Sequence, residues 1–466
     1  MATQANYIIL SAIIICTSNA LFLRNEALAA LKGNVKDYVN LQGLNLDVIE
    51  VETSDGWLLQ VHRVRNLDLF NKSLSTPVLM AHGYSCSSMD FMVNMRNESL
   101  AFILADKGYD VWLPNFRGNK FSNQVLRDGR PVAPDATDYY RMTWQYMAER
   151  DLPAVLDRIL LETAAGKVYT VGYSMGGSIF FALLSENHAY DDKIAFLYGL
   201  SPVLRIDEDS SLKIRLALKL VDIITKFSIN PFFRVLAGRS LFAARVGVIN
   251  TVLDSIRVYF SYFAPRTTTL ITNALFQRKL IDVLRDNPHL RKERLPIMLT
   301  NYPAGLTWME TFLYVQEVNQ DSKGLPWKKM DYDNAKQTGI TNMGEYNQPK
   351  PPAYDFSAVK VRTLGTFVKN DIFLGVKTVE RLISNLHLPA NEYSIVDGNN
   401  LSHQDELWGW DARCWVFGPL IKAMEEVEAE RAEDNSDLRT YRTEVVPALQ
   451  KTLSYENGCA GLSEAS

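Results

Sequence analysis

The chain is poor in cysteine, with 4 in 466 residues, and poor in histidine, with 6. Loss of Cys16 with the leader described below leaves Cys86, Cys414 and Cys459, an odd set that cannot form a closed disulfide framework. An excess of one charge is also missing. The 49 basic and 53 acidic residues give a formal net charge of −4, and no Lys/Arg stripe occurs that could neutralise a run of phosphates, which argues against nucleic acid as a partner. No segment supplies the about 20 apolar residues that a transmembrane helix needs, so no stable membrane anchor is expected. The apolar run Tyr7 to Cys16 is too short for that and is followed by the small residues Ser18 and Ala20. It reads as a signal peptide over residues 1–20, cleaved at about Ala20, which directs the chain to the secretory pathway. An uncleaved anchor or a buried first helix is the alternative, because Leu21, Phe22 and Leu23 extend the apolar stretch before Arg24. No internal repeat is visible.

What is present is an ordinary globular composition, 47% hydrophobic, 11% aromatic and 22% charged, long enough for one large core and an insertion. The sequons that begin at Asn71 and Asn97 are glycosylation candidates, whereas a glycan on Asn400 would crowd His403. From Val48 to Val64 two alternating runs flank the turn Thr53-Ser54-Asp55-Gly56, which predicts an antiparallel hairpin. Short apolar strands are then expected at Pro77 to Ala81 and Tyr109 to Pro114, with a helix from Glu98 to Lys107 between them. A helix over Ala148 to Leu161, a strand over Lys167 to Val171 and a helix over Gly176 to Leu184 follow. Strand, helix, strand in this order describes an α/β fold with a mostly parallel central sheet flanked by helices, whose sites lie at the carboxyl ends of the strands.

After Pro202 the texture changes to a long helical stretch and then a looser polar one, an insertion between two strands of the sheet. The sheet resumes at Val361 to Val368, with a helix over Val376 to Asn385, a strand near Tyr393 to Val396 and a last core helix over Trp408 to Met424. The resulting organisation is a core over 21–200, a helical cap and lid over 201–357, a second core part over 358–424 and a charged C-terminal extension over 425–466.

Gly172-Tyr173-Ser174-Met175-Gly176 matches the pattern G-x-S-x-G on a strand-to-helix turn, where the serine hydroxyl projects at the sheet edge and flanking glycines avoid a backbone collision. A serine hydroxyl needs a base to take its proton, and the base needs an acid to hold its tautomer. His403 is the histidine that follows the final strand, in a polar loop; Asp371 follows the strand ending at Val368, at the same edge as Ser174. The order Ser, Asp, His is the one used by the α/β-hydrolase fold. Asp405 is the rival acid, too close in sequence to His403 to face it opposite the serine. The oxyanion that forms on attack needs two fixed donors, which the backbone N–H groups of Met175 and Tyr84 can supply. His82 then has a structural role, and Asn115, Arg117 and Asn119 tie that edge together.

These residues resemble the acid lipase family, which holds gastric and lysosomal acid lipases. The resemblance also rests on His82 to Ser88, Ser99 to Asp106, Gly108 to Leu113, Asn115 to Asn119, Asp151 to Ala154, Pro303 to Gly305, Pro351 to Tyr354 and Asn370-Asp371, in order between Asp37 and Met424. It implies hydrolysis of triacylglycerols or steryl esters, a cap with a lid, a lipid–water interface as partner, no metal or other cofactor, and an extracellular, gut-lumen or lysosomal location. Carried over by position, Ser174, Asp371 and His403 are the catalytic residues and Tyr84 and Met175 the oxyanion donors. The chain departs from the family at Tyr173 and Met175, where His and Gln are usual, and at Asn301, where His is usual. Apolar helices at Leu216 to Phe233 and Leu241 to Phe263 would shield an acyl pocket, or else form a plain packed cap. A carboxylesterase for short soluble esters and an inactive lipid-binding homologue are the other functional readings.

Overall fold

The computed structural model describes residues 34–206 and, with short gaps, 209–219, 287–319, 327–386, 392–397 and 401–447, besides 25, 26, 29 and 30. The expected leader, the cap helices beyond residue 219, His387, Asn400 and Cys459 lie outside the described residues.

Ten strands form one sheet: β1 (Asn45–Glu52), β2 (Trp57–Arg65), β3 (Pro77–Ala81), β4 (Asp110–Pro114), β5 (Gln124–Arg127), β6 (Arg130–Val132), β7 (Val168–Tyr173), β8 (Ile194–Leu200), β9 (Thr363–Val368) and β10 (Tyr393–Val396). Their order is β10-β9-β8-β7-β3-β4-β2-β5-β6, with β1 paired to β2. From β4 to β10 every pairing is parallel, and the antiparallel pairs gather at the other end. This is the α/β-hydrolase fold. Strands β3 and β7 are buried along their whole length, as expected of parallel strands covered on both faces.

Alternation along β3 divides the core in two. Leu79 and Ala81 join the cluster on one face, Val78 and Met80 the cluster on the other. Helices α1 (Val35–Leu41) and α2 (Leu100–Asp106) cover the second face, and α3 (Leu152–Thr163) and α4 (Met175–Glu186) the first. Each fully buried Leu, Ile or Phe in these layers contributes about 1.5–3 kcal/mol relative to exposure. In the segment expected to form the cap, α5 (Leu295–Asn301) and α6 (Trp308–Asn319) are described, and α7 (Val376–Asn385), α8 (Asp405–Trp408) and α9 (Phe417–Glu433) follow. Among the described residues no helix is long and apolar enough to cross a membrane.

Register aligns the strand ends. Ala81 pairs with Gly172, Tyr173 with Leu200, Leu200 with Thr366 and Val396 with Val368, so the chain leaves β3, β7, β8, β9 and β10 along one edge. The segments leaving that edge include Gly83, Ser174, Ser201, Asp371 and His403. Strands β8 and β9 are direct neighbours although residues 201–362 separate them in sequence.

Three features differ from expectation. The helix expected from Ala148 begins as a π-turn over Met147–Asp151 before α3. The β5–β6 hairpin was not anticipated, although its turn, Asp128-Gly129, has φ of 51° and 72°, the left-handed pair that favours this dipeptide. Helix α9 also passes through the boundary expected at residue 424 and ends at Glu433. Leu420, Ala423, Met424, Val427 and Ala432 keep a buried stripe at helical spacing among the charges. Glu428 is itself buried, held by Thr76, Arg431 and Arg442.

Candidate active site

Ser174 stands between β7 and α4 with φ 54° and ψ −120°, a conformation that a non-glycine residue adopts only when its surroundings impose it. The surroundings are three close approaches, two of them to backbone. A Cβ on Gly172 would lie 2.5 Å from Gly177 Cα, one on Gly177 2.5 Å from Pro202 Cβ, and one on Gly176 would run into the Ala81 carbonyl. Gly176→Ala is therefore expected to destabilise the fold by about 3 kcal/mol, the upper range for overpacking, because backbone cannot move aside as a side chain can. A thermal melt reads this directly; a melting temperature equal to wild type would contradict the close approach.

Gly83 closes on the same serine, its missing Cβ leaving 3.1 Å to Ser174 Cβ and to the Tyr173 ring. The loop after β3 thus carries Tyr84 past the turn at Ser174. Met175 is the first residue of α4, where an N–H has no intrahelical acceptor, and the Tyr84 N–H donates no hydrogen bond among the described residues.

His403 is buried, and its Nδ1 lies 2.5 Å from Asp371 Oδ2. The other carboxylate oxygen of Asp371 accepts from the Phe373 and Leu374 amides at 2.7 and 3.1 Å. Tyr173 stacks on the imidazole at 5.2 Å between centroids and donates its hydroxyl to the His403 carbonyl at 3.0 Å; Phe373 meets the ring edge-on at 4.9 Å. His403 Nε2 is buried with no hydrogen-bond partner among the described residues, Ser174 included. Both residues line one cavity of about 230 Å³, whose walls include Tyr84, Tyr302, Tyr314, Phe373 and the aliphatic side chains of Val203 and Ile206.

Asp405 turns elsewhere. It accepts from Ser402 N and Oγ at 2.8 and 2.7 Å and from Asn287 at 2.7 Å. His82 accepts from Phe116 N at 3.2 Å through Nε2, and burial pushes its pKa down to about 4, so it is neutral at physiological pH. Arg117 is fully buried between Asp151 and Asp55, while Asn115 Oδ1 accepts from Ser88 N and Asn119 Nδ2, each at 3.0 Å. The Pro303 to Gly305 segment is stitched across this edge: Ala304 N donates to Ser85 O at 2.8 Å and Lys120 N to Ala304 O at 2.7 Å. Asn71 is exposed and Asn97 half-buried.

Two neighbours of the site escaped sequence reading. Tyr173 sits inside the G-x-S-x-G pattern, but its stacking on His403 requires convergence of distant segments. Glu406 is buried within 4.8 Å of both Asp371 and His403, measured between one side-chain polar atom of each. The one available signal was its place one helical turn after His403.

A model of the alpha/beta hydrolase fold matches residues 76–219, and one of a partial alpha/beta-hydrolase lipase region matches residues 35–95. Gastric triacylglycerol lipase of Mus musculus is 30% identical over 398 residues, 84% of this chain and 92% of the relative. The protein of the same name from Bos taurus is 29% identical over 395 residues, 84% and 91% of the two chains. Lipase 1 of Drosophila melanogaster is 28% identical over 401 residues, 86% and 82%. Among solved structures, a thermophilic esterase from Thermogutta terrifontis aligns with 85% of this chain and 100% of its own at 16% identity and a TM-score of 0.40. The chain belongs to the acid lipase family of the α/β-hydrolase fold, and is a lipase, a serine ester hydrolase.

Proposed function

We propose that the chain hydrolyses carboxylic esters of neutral lipids, triacylglycerols or steryl esters, through an acyl-enzyme on Ser174. His403 Nε2 takes the proton of the serine hydroxyl as Oγ attacks the ester carbonyl, and Asp371 holds the imidazole in the tautomer with its proton on Nδ1. The tetrahedral oxyanion sits between the N–H groups of Tyr84 and Met175, donors whose individual removal costs about 3–4 kcal/mol in comparable sites. His403 then gives its proton to the leaving alcohol. Water, deprotonated by the same nitrogen, releases the fatty acid and restores the serine.

The observation that carries this reading is the His403–Asp371 hydrogen bond of 2.5 Å beside an unpartnered Nε2 in the cavity that Ser174 lines. A nucleophile and base not yet joined by a hydrogen bond are common before substrate is bound, when such contacts are loose. The apolar lining supports an acyl chain as the group accepted. Family names support lipid esters: two of the relatives above are called gastric triacylglycerol lipase.

A secreted or lysosomal location belongs to the same proposal, with cleavage of residues 1–20 and glycans on Asn71 and Asn97. Cys414 is disulfide-bonded, its partner lying outside the described residues, and Cys86 is free. A disulfide favours an oxidising compartment. Assay of purified protein on emulsified triolein, cholesteryl oleate and a short soluble ester tests the substrate class. Hydrolysis of either long-chain emulsion at rates at least about tenfold above the soluble ester is expected, a modest difference of roughly 1.4 kcal/mol. Turnover of the short ester alone would identify a carboxylesterase, and turnover of none a lipid-binding protein.

A further inference from the structure

Glu406 lies in the first turn of α8, three residues after His403, and has no exposed surface. Its Oε1 accepts from Ser201 Oγ; its Oε2 is buried with no hydrogen-bond partner among the described residues. No Lys or Arg among the described residues forms a salt bridge with it. Two carboxyl groups and an imidazole therefore crowd within 4.8 Å of one another. The donors are shared unevenly. Asp371 receives the Phe373 and Leu374 amides and His403 Nδ1, while Glu406 receives one hydroxyl. Like charges this close disfavour double ionisation, and the proton goes to the group with fewer donors to its anion.

The surrounding titratable groups give the same answer. Asp371 from the loop after β9, Tyr198 from β8, Tyr173 from β7, Asp405 from α8 itself and Asp90, which accepts from Trp408 of α8 at 3.1 Å, are all acids. Among the described residues His403 is the one basic group beside it, and Asp371 already occupies its Nδ1. Burial first, then the Asp371 charge, pushes the Glu406 carboxyl well above the ordinary carboxylate range.

We infer that Glu406 is a positioning residue that works as a neutral acid, and that its ionisation sets the alkaline limit of hydrolysis. As the proton leaves to solvent, a second negative charge arises beside the Asp371–His403 pair. It repels the Asp371 carboxylate that orients the ring. It also favours imidazolium over the neutral imidazole that must accept the serine proton, and opposes the oxyanion. The inference rests on the proposed roles of Ser174, His403 and Asp371.

The test is the pH dependence of kcat on a soluble ester, for wild type, Glu406→Gln, Glu406→Met and, as control, Ser174→Ala. Gln keeps the shape and Met the apolar volume; neither can ionise, and two variants guard against one failing to fold. Wild type should lose activity on the alkaline side, and in both variants the midpoint of that loss should move up by more than about one pH unit or vanish, whatever the height of the profile. An unmoved midpoint in either folded variant overturns the inference, as does a wild-type profile that stays flat into the alkaline range. Persistence of full activity in Ser174→Ala would instead overturn the reading of the whole site, and this inference with it.

Discussion

Replacing Ser174 by Ala is expected to lower kcat by roughly a millionfold while the protein still folds, because the oxygen proposed to form the acyl bond is gone and no neighbour replaces it. The loss should fall on kcat and spare KM, since the proposed acyl-chain binding would depend on the aromatic and aliphatic walls of the cavity rather than on the hydroxyl. Ala is also tolerated sterically. The strained φ of 54° at position 174 is a demand on the backbone that Ser and Ala meet equally, and the nearby Gly172, Gly176 and Gly177 are unchanged. Residual turnover of roughly 10³-fold over water would reflect the oxyanion donors and binding alone. A steady-state assay with circular dichroism to check folding measures both parts, and a variant within tenfold of wild type would remove Ser174 from the chemistry.

Asp371→Asn is expected to reduce kcat by about 10⁴-fold with little change in stability. In the native chain an Asp371 carboxylate Oδ2 can only accept, which would place the His403 proton on Nδ1 and leave the Nε2 lone pair for the proposed transfer from Ser174. An Asn amide can donate toward Nδ1 and so select the opposite tautomer, with Nε2 protonated and unable to act as base. The Phe373 and Leu374 amides bind Oδ1, which the Asn carbonyl reproduces, so the loop should hold its shape. Asp405→Asn provides the contrast: its oxygens serve Ser402 and Asn287, away from the imidazole. Steady-state kinetics on both variants decides between the two aspartates, and a larger loss in the Asp405 variant would contradict the assignment.

Much of the proposed site can be picked out in the sequence because each part obeys a local rule. Ser174 is flagged by the glycines that its turn requires, Asp371 by following a strand, and His403 by following the last one. The hairpin around Thr53 to Gly56 and the helix over Val376 to Asn385 were legible for the same reason, as turn chemistry and period agree there. Glu406 was not, because one acidic residue in a polar loop looks like any solvated charge until the fold buries it. The Tyr173–His403 stacking joins residues 230 apart in sequence, and no local pattern records such a meeting. The extent of α9 was hidden by its charges, whose buried stripe is visible only when the helical period is followed past Met424.

The claim on which the rest depends is that His403, oriented by Asp371, activates one particular serine. Mass-spectrometric mapping after brief exposure of the native protein to a fluorophosphonate measures this most directly. A single adduct on the peptide carrying Ser174, formed at least about a hundredfold more slowly in Asp371→Asn, is the predicted result. An ester-hydrolysing protein whose Ser174 stays unlabelled, or whose labelling is indifferent to Asp371, would contradict it.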